Sequence, residues 1–151
     1  MERNMKNAII MLSAALILLV APLVSAENST EIEGYVIHHN AITTDILTPE
    51  IARHYGIIRS RNRAMLNVSV MRKKQDALDE AVPAEVKAYT TNLYGQQRKL
   101  VLNMVEEGSA IYYIGDFLVR NGDRLNFHID VKPEGERNYS PATFTQEFYT
   151  E

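Results

Sequence analysis

Asn121-Gly122-Asp123-Arg124-Leu125-Asn126-Phe127-His128-Ile129-Asp130-Val131 is the stretch that decides the fold. Leu125, Phe127, Ile129 and Val131 alternate with Asn126, His128 and Asp130. Successive side chains of an extended chain point to opposite faces, so this is a strand with one apolar and one polar side. The polar side reads as the wet outer face of an antiparallel sheet. Asn121-Gly122 ahead of it tolerates positive φ and predicts a type I′ hairpin from a preceding strand, Ala110–Val119, rich in Ile, Tyr and Phe.

Outward from this stretch the same rhythm recurs. Tyr35–Ile42, Ala64–Met71, Glu85–Leu93, Lys99–Val105 and Phe144–Tyr149 read as further strands, with turns at Tyr94–Gln97 and Glu106–Ser109. In the second of these, Ala64, Leu66, Val68 and Val70 share one face and Asn67 and Ser69 the other. Thr48-Pro49-Glu50 has the form of a helix start, with a hydroxyl cap, proline in the first turn and an acid near the positive dipole end. Gly56 is placed to end that helix. Arg72–Ala84 reads as a long connection and Pro133–Pro141 as a loop. The expectation is an all-β, antiparallel β-sandwich of immunoglobulin-like type, with about seven strands and one short helix near residues 49–55. A small barrel is the alternative.

Residues 1–26 carry a separate message. Arg3 and Lys6 precede an apolar run from Ala8 to Val20, Pro22 breaks it, and Val24-Ser25-Ala26 offers small side chains for cleavage. That is the layout of a secretory signal peptide, and the run is short of the roughly 20 residues a spanning helix needs. The expected organisation is therefore a cleaved leader over 1–26, a flexible N-terminus over 27–32 and a single domain over 33–150, with no membrane span after cleavage. The expected location is the periplasm.

The whole chain has 151 residues, 46% hydrophobic, with no cysteine, no tryptophan and a formal net charge of -3. Without cysteine there is no disulfide scaffold, thiolate metal site or cysteine nucleophile, and an exported core must hold the fold alone. The acidic balance argues against nucleic acid as a partner, because phosphate binding needs a basic face.

Chemistry-bearing residues are few. His38 and His39 are adjacent in one strand and point to opposite faces. Together with His128 they are the metal-ligand candidates, and Met65, Met71 or Met104 would add thioethers suited to copper. Each also has an ordinary structural explanation, since methionine commonly fills cores. No G-x-S-x-G, S-x-x-K or H-E-x-x-H pattern occurs. From Arg53 to Lys74 there are basic residues but no acid, grouped as Arg59, Arg61 and Arg63 before one strand and Arg72, Lys73 and Lys74 after it. Arginine forks suit carboxylate or phosphate, so an anionic envelope ligand is one reading and two solvated loop clusters the other.

The mature chain resembles an uncharacterised family of exported Gram-negative bacterial proteins, the domain of unknown function 4426. The resemblance lies in Tyr35–Ala41 with Thr44-Asp45 and Leu47–Glu50, in Tyr55-Gly56-Ile57 with Arg59-Ser60, in Asn67–Val70, and in the closing Phe144–Tyr149. It implies a periplasmic, β-rich domain and supplies no reaction, cofactor or catalytic residue. The leading expectation is a non-catalytic binding or accessory module whose partner is an envelope protein or an anionic envelope ligand. The expected surface comprises His39, Asn40, Asp45, Arg59, Arg61 and Arg63. A copper- or zinc-binding protein is the alternative, and an enzyme of unrecognised type the second.

Overall fold

The computed structural model describes residues 28–151; the 1–26 leader lies outside the described residues. The elements run β1 (Ser29–Ile32), β2 (Tyr35–Thr43), a 3-10 turn (Thr44–Ile46), α1 (Pro49–His54), β3 (Arg63–Arg72), β4 (Glu80–Ala81), β5 (Ala84–Thr91), β6 (Gln97–Leu100), β7 (Asn103–Glu107), β8 (Ala110–Leu118), β9 (Asp123–Pro133) and β10 (Ser140–Phe148). They form two antiparallel sheets, one ordered β1-β2-β3-β8-β7 with β4 paired to β3, the other β10-β9-β5-β6. This is an all-β sandwich, not a barrel.

The deciding stretch is a strand as read, with Phe127, Ile129 and Val131 almost fully buried on its inner side. The turn before it is a correction. Gly122 has φ 77° but Asn121 does not have positive φ, so the type I′ geometry is absent. Asp123 N–H donates to the Arg120 carbonyl at 3.1 Å, closing a turn of the type II class, in which glycine takes the third place. Its consequence is topological: β8 and β9 belong to different sheets, so Asn121-Gly122 carries the chain from one layer to the other. The tight primed turn lies instead at Gly108-Ser109, between β7 and β8, where Gly108 has φ 59°.

Three further differences raise the strand number among the described residues. The expected strand Lys99–Val105 is two strands, β6 in one sheet and β7 in the other, with Val101 and Leu102 crossing between them. The segment expected to be a flexible terminus contains β1, paired with Tyr35–His38 along its length. The long connection after Arg72 contains β4, paired back to Met71 and Arg72.

The core lies between the sheets. Ile37, Ala41, Leu66, Val68 and Val70 from one layer meet Leu125, Phe127, Ile129 and Ala142 from the other. Phe117, Phe127, Phe144 and Phe148 make an aromatic spine through it by edge and stacked contacts. The Tyr113 hydroxyl accepts the Ala84 N–H at 2.7 Å and so ties the start of β5 to the opposite sheet.

A second, smaller cluster covers the outer face of the larger sheet. Met65 and Ile114 are buried there by Ile57, Leu47 and Tyr55 from the 44–58 insertion. α1 begins as read: the Thr48 hydroxyl accepts the Ile51 N–H at 3.2 Å. It ends in a Schellman arrangement, with Gly56 at φ 66°, Ile57 N–H on the Ala52 carbonyl at 2.8 Å and Gly56 N–H on the Arg53 carbonyl at 3.2 Å. This end aims Ile57 back onto the sheet.

Candidate functional site

The basic residues that precede β3 are answered from within the fold. Thr44, fully buried, pins the loop that carries them: its hydroxyl accepts the Ser60 N–H at 3.0 Å and faces the Ile58 and Ser60 carbonyls at 2.8 and 3.1 Å. Arg59 then donates to the Asp45 carbonyl at 2.9 Å, and Arg61 Nε lies 3.8 Å from Asp45 Oδ2. Arg63, one strand position into β3, forks onto Asp116 Oδ2 of β8 at 2.7 and 2.5 Å. Asp45, Arg59 and Arg61 therefore do come together, while Arg63 pairs separately and Asn40 stands exposed on β2.

The histidines are placed on different surfaces. His39 points between the sheets, 5% exposed, stacked on Phe144 with its Nε2 3.0 Å from the Thr30 hydroxyl of β1. Its Nδ1 is buried without a hydrogen-bond partner, and burial pushes its pKa below the ordinary value. His38 faces the opposite side of the same sheet, as adjacent strand residues must. His128 lies on the outer face of the other sheet, stacked on Tyr89 with its Nε2 3.3 Å from Thr91 Oγ1. The structure thus does not bring His38, His39 and His128 to one point, and Asn126, His128 and Asp130 line the outer face as read. His54 meets a carboxylate, with Nε2 3.1 Å from Glu107 Oε1. The Tyr55 hydroxyl donates to the same oxygen at 2.8 Å, and that hydrogen bond holds its proton, raising its pKa. No cluster of three or more histidine and carboxylate groups with metal-holding geometry occurs among the described residues.

A concavity lies elsewhere. A groove of about 840 Å³ opens at the end of the sandwich where the β1–β2 turn, the end of β3 and the β9–β10 loop converge. Tyr35 organises it. Arg72, opposite Tyr35 in the β2–β3 register, sets its guanidinium 5.8 Å over the Tyr35 ring. The Tyr35 hydroxyl donates to Glu136 Oε1 at 3.1 Å, which fixes the loop carrying Arg137. Lys73, also in the lining, is paired with Glu31 at 2.7 Å. Sequence reading singled out Arg72 and Lys73 but missed Tyr35 and Arg137. The signal was a lone arginine in a Gly-Glu-Arg-Asn loop, which means nothing until strand pairing closes that loop over β3.

No helix among the described residues is long and apolar enough to cross a membrane. Comparison with solved structures gives a DUF4426 family protein of Pseudomonas aeruginosa, 26% identical, with a TM-score of 0.71 over 85% of this chain and 98% of that one. A copper-bound variant of FetP from uropathogenic Escherichia coli shares the fold at 8% identity, with a TM-score of 0.57 over 82% of this chain and 95% of that one. FetP isolated after expression in the periplasm of Escherichia coli gives 9% identity and a TM-score of 0.52, over 80% and 90% of the two chains. Comparison with the curated proteins gives no match. The family model described as domain of unknown function, DUF4426, matches residues 29–151, and with the fold and the segments from Tyr35 to Tyr149 in agreement, the chain belongs to the DUF4426 family.

Proposed function

We propose that this chain is an exported, non-catalytic binding domain of the bacterial envelope that takes its ligand in the groove at the Tyr35 end of the sandwich. The observation that carries this reading is the groove itself, about 840 Å³ and walled by the turns that three strand junctions contribute. Loops held by a rigid sandwich are where such folds place recognition. The leader-like residues 1–26 support export. The surface read from sequence around Asp45, Arg59 and Arg61 is less suited to this role, because the side chains of Arg59 and Arg61 are both engaged with Asp45.

The test uses the chain purified after export, immobilised and offered a soluble envelope extract. Asn138 is an exposed loop residue in the groove lining, so Asn138→Trp fills the groove without touching the core. Retention of a defined species by the native chain and its loss in Asn138→Trp is the expected result. Retention unchanged in the variant overturns the groove as the site.

A metal-binding reading is the alternative, favoured by the shared fold with copper-bound FetP. His54 beside Glu107 is the histidine–carboxylate pair on which this reading is put to the test. Copper and zinc titration with metal analysis separates the two readings: stoichiometric uptake lost in His54→Ala supports it, and no uptake ends it.

A further inference from the structure

We propose that the groove recognises an oxyanion, a phosphate or a carboxylate, held between the guanidinium groups of Arg72 and Arg137. The inference rests on the groove being the ligand site. It comes from following each arginine to its partner. Arg53 and Arg98 donate to backbone carbonyls, Arg59 to the Asp45 carbonyl, and Arg61, Arg63 and Arg124 meet Asp45, Asp116 and Glu147. Among the described residues, Arg72, Arg120 and Arg137 are left with guanidinium groups that make neither a hydrogen bond nor an ion pair. Two of these three line the same groove.

The acids nearby pair with neither guanidinium. Glu31 is taken by Lys73, Glu136 is turned to the Tyr35 hydroxyl, and Glu33 lies on the β1–β2 turn, so Glu33 and Glu136 are the lining carboxylates and neither is ion-paired with Arg72 or Arg137. The lining therefore carries no excess of charge, and what it offers is two planar forks whose N–H donors are unspent, the group that suits an oxyanion. Tyr35 supports the Arg72 guanidinium with its ring and, through its hydroxyl, tethers Glu136 in the loop that carries Arg137. Asn138 and Ser140 add polar groups beside them, so a ligand bearing hydroxyls next to its anionic group fits better than a bare apolar acid. An envelope offers that chemistry as a lipid headgroup or as a soluble phosphorylated or acidic saccharide.

Inorganic phosphate is the first probe, titrated at low salt and followed by backbone amide shifts. Saturable shifts in the millimolar range, confined to 32–35, 72–73 and 134–140, are expected, with affinity falling about tenfold in either Arg72→Gln or Arg137→Gln. Both arginines are exposed, so the variants keep the native fold, which their unperturbed spectra verify. Vesicles of phosphatidylglycerol against phosphatidylcholine then name the source. Retention on the anionic vesicles alone, lost in the double variant, points to a headgroup; phosphate binding without vesicle retention points to a soluble oxyanion. No saturable shift, shifts centred on Arg120, or affinity unchanged in both variants overturns the proposal. The extract experiment keeps it separate from the broader reading: capture lost in Asn138→Trp but intact in the double Gln variant leaves the groove standing and removes the oxyanion.

Discussion

The imidazole of His39 lies flat against the ring of Phe144, with centroids 4.6 Å apart and planes 12° from parallel, and Phe144 stacks in turn on Phe127. A histidine thus serves as one ring of the aromatic core, its imidazole meeting the Thr30 hydroxyl of β1. Burial favours its neutral form and lowers its pKa below the ordinary 6.5. The folded chain therefore binds fewer protons at this site than the unfolded chain, and its stability rises with pH across that window. Stability is expected to fall as the pH drops below the ordinary histidine value, levelling once the folded form is also protonated. His39→Phe keeps the stack and removes the titration. Urea midpoints measured between about pH 7.5 and 5.5 are expected to slope less in the variant than in the native chain, and equal slopes would place the effect elsewhere.

Thr44 is the clasp of the 44–58 insertion. Replacing it with valine keeps the shape but leaves the Ser60 N–H and a facing carbonyl without their partner. A loss of about 1–3 kcal/mol is expected for such buried groups, read from denaturant unfolding. Hydrogen exchange should quicken over residues 48–60 before it does in β9.

Gly115 has its place because the β6–β7 crossing runs directly over it. A Cβ there would fall against the Val101 carbonyl oxygen and Leu102 Cδ2. Backbone cannot yield as a side-chain tip can, so Gly115→Ala is expected to destabilise by about 1–3 kcal/mol or more. A thermal melt matching the native chain would show that the crossing can shift.

On the outer face of the smaller sheet, Glu85 is held to a pKa of about 2 by Lys132, Tyr139 and Lys87, in that order of effect. The lysines also sit over the Tyr139 ring, at 4.3 Å from Lys87 and 5.1 Å from Lys132. Because the folded value is depressed, the carboxylate stays charged as pH falls below the ordinary 4.5 and the cluster is lost only as pH passes through about 2. Lys132→Gln is expected to raise the Glu85 titration midpoint toward the ordinary value, by side-chain carboxyl NMR. A midpoint that does not move would assign the shift to Tyr139 and Lys87.

Local chemistry made much of the sandwich readable. The alternation from Leu125 to Val131, the Thr48 cap and the Gly56 stop each depend on neighbours a few residues away, and each is realised. What lay beyond reading was which layer receives a strand after a turn. Asn121-Gly122 says that the chain reverses, and sheet membership is settled by long-range packing of Phe127 against Phe117 and Phe148. The break at Val101-Leu102 carries no proline or glycine of its own; its mark is Gly115, on another strand. The same limit governed the site. Arg59, Arg61 and Arg63 look like a free basic patch until Asp45 and Asp116 arrive from elsewhere in the chain.

The crossing of β6 into β7 gives the sandwich a spine and a fore-edge. Along one side the two layers are bound by continuous backbone, like pages sewn at the back. Along the other, where β1 and β2 face β10, they are held by side chains alone, among them His39 stacked on Phe144. A force or a solvent change that parts the layers will open them from the His39 side first, with the sewn side as the last to separate.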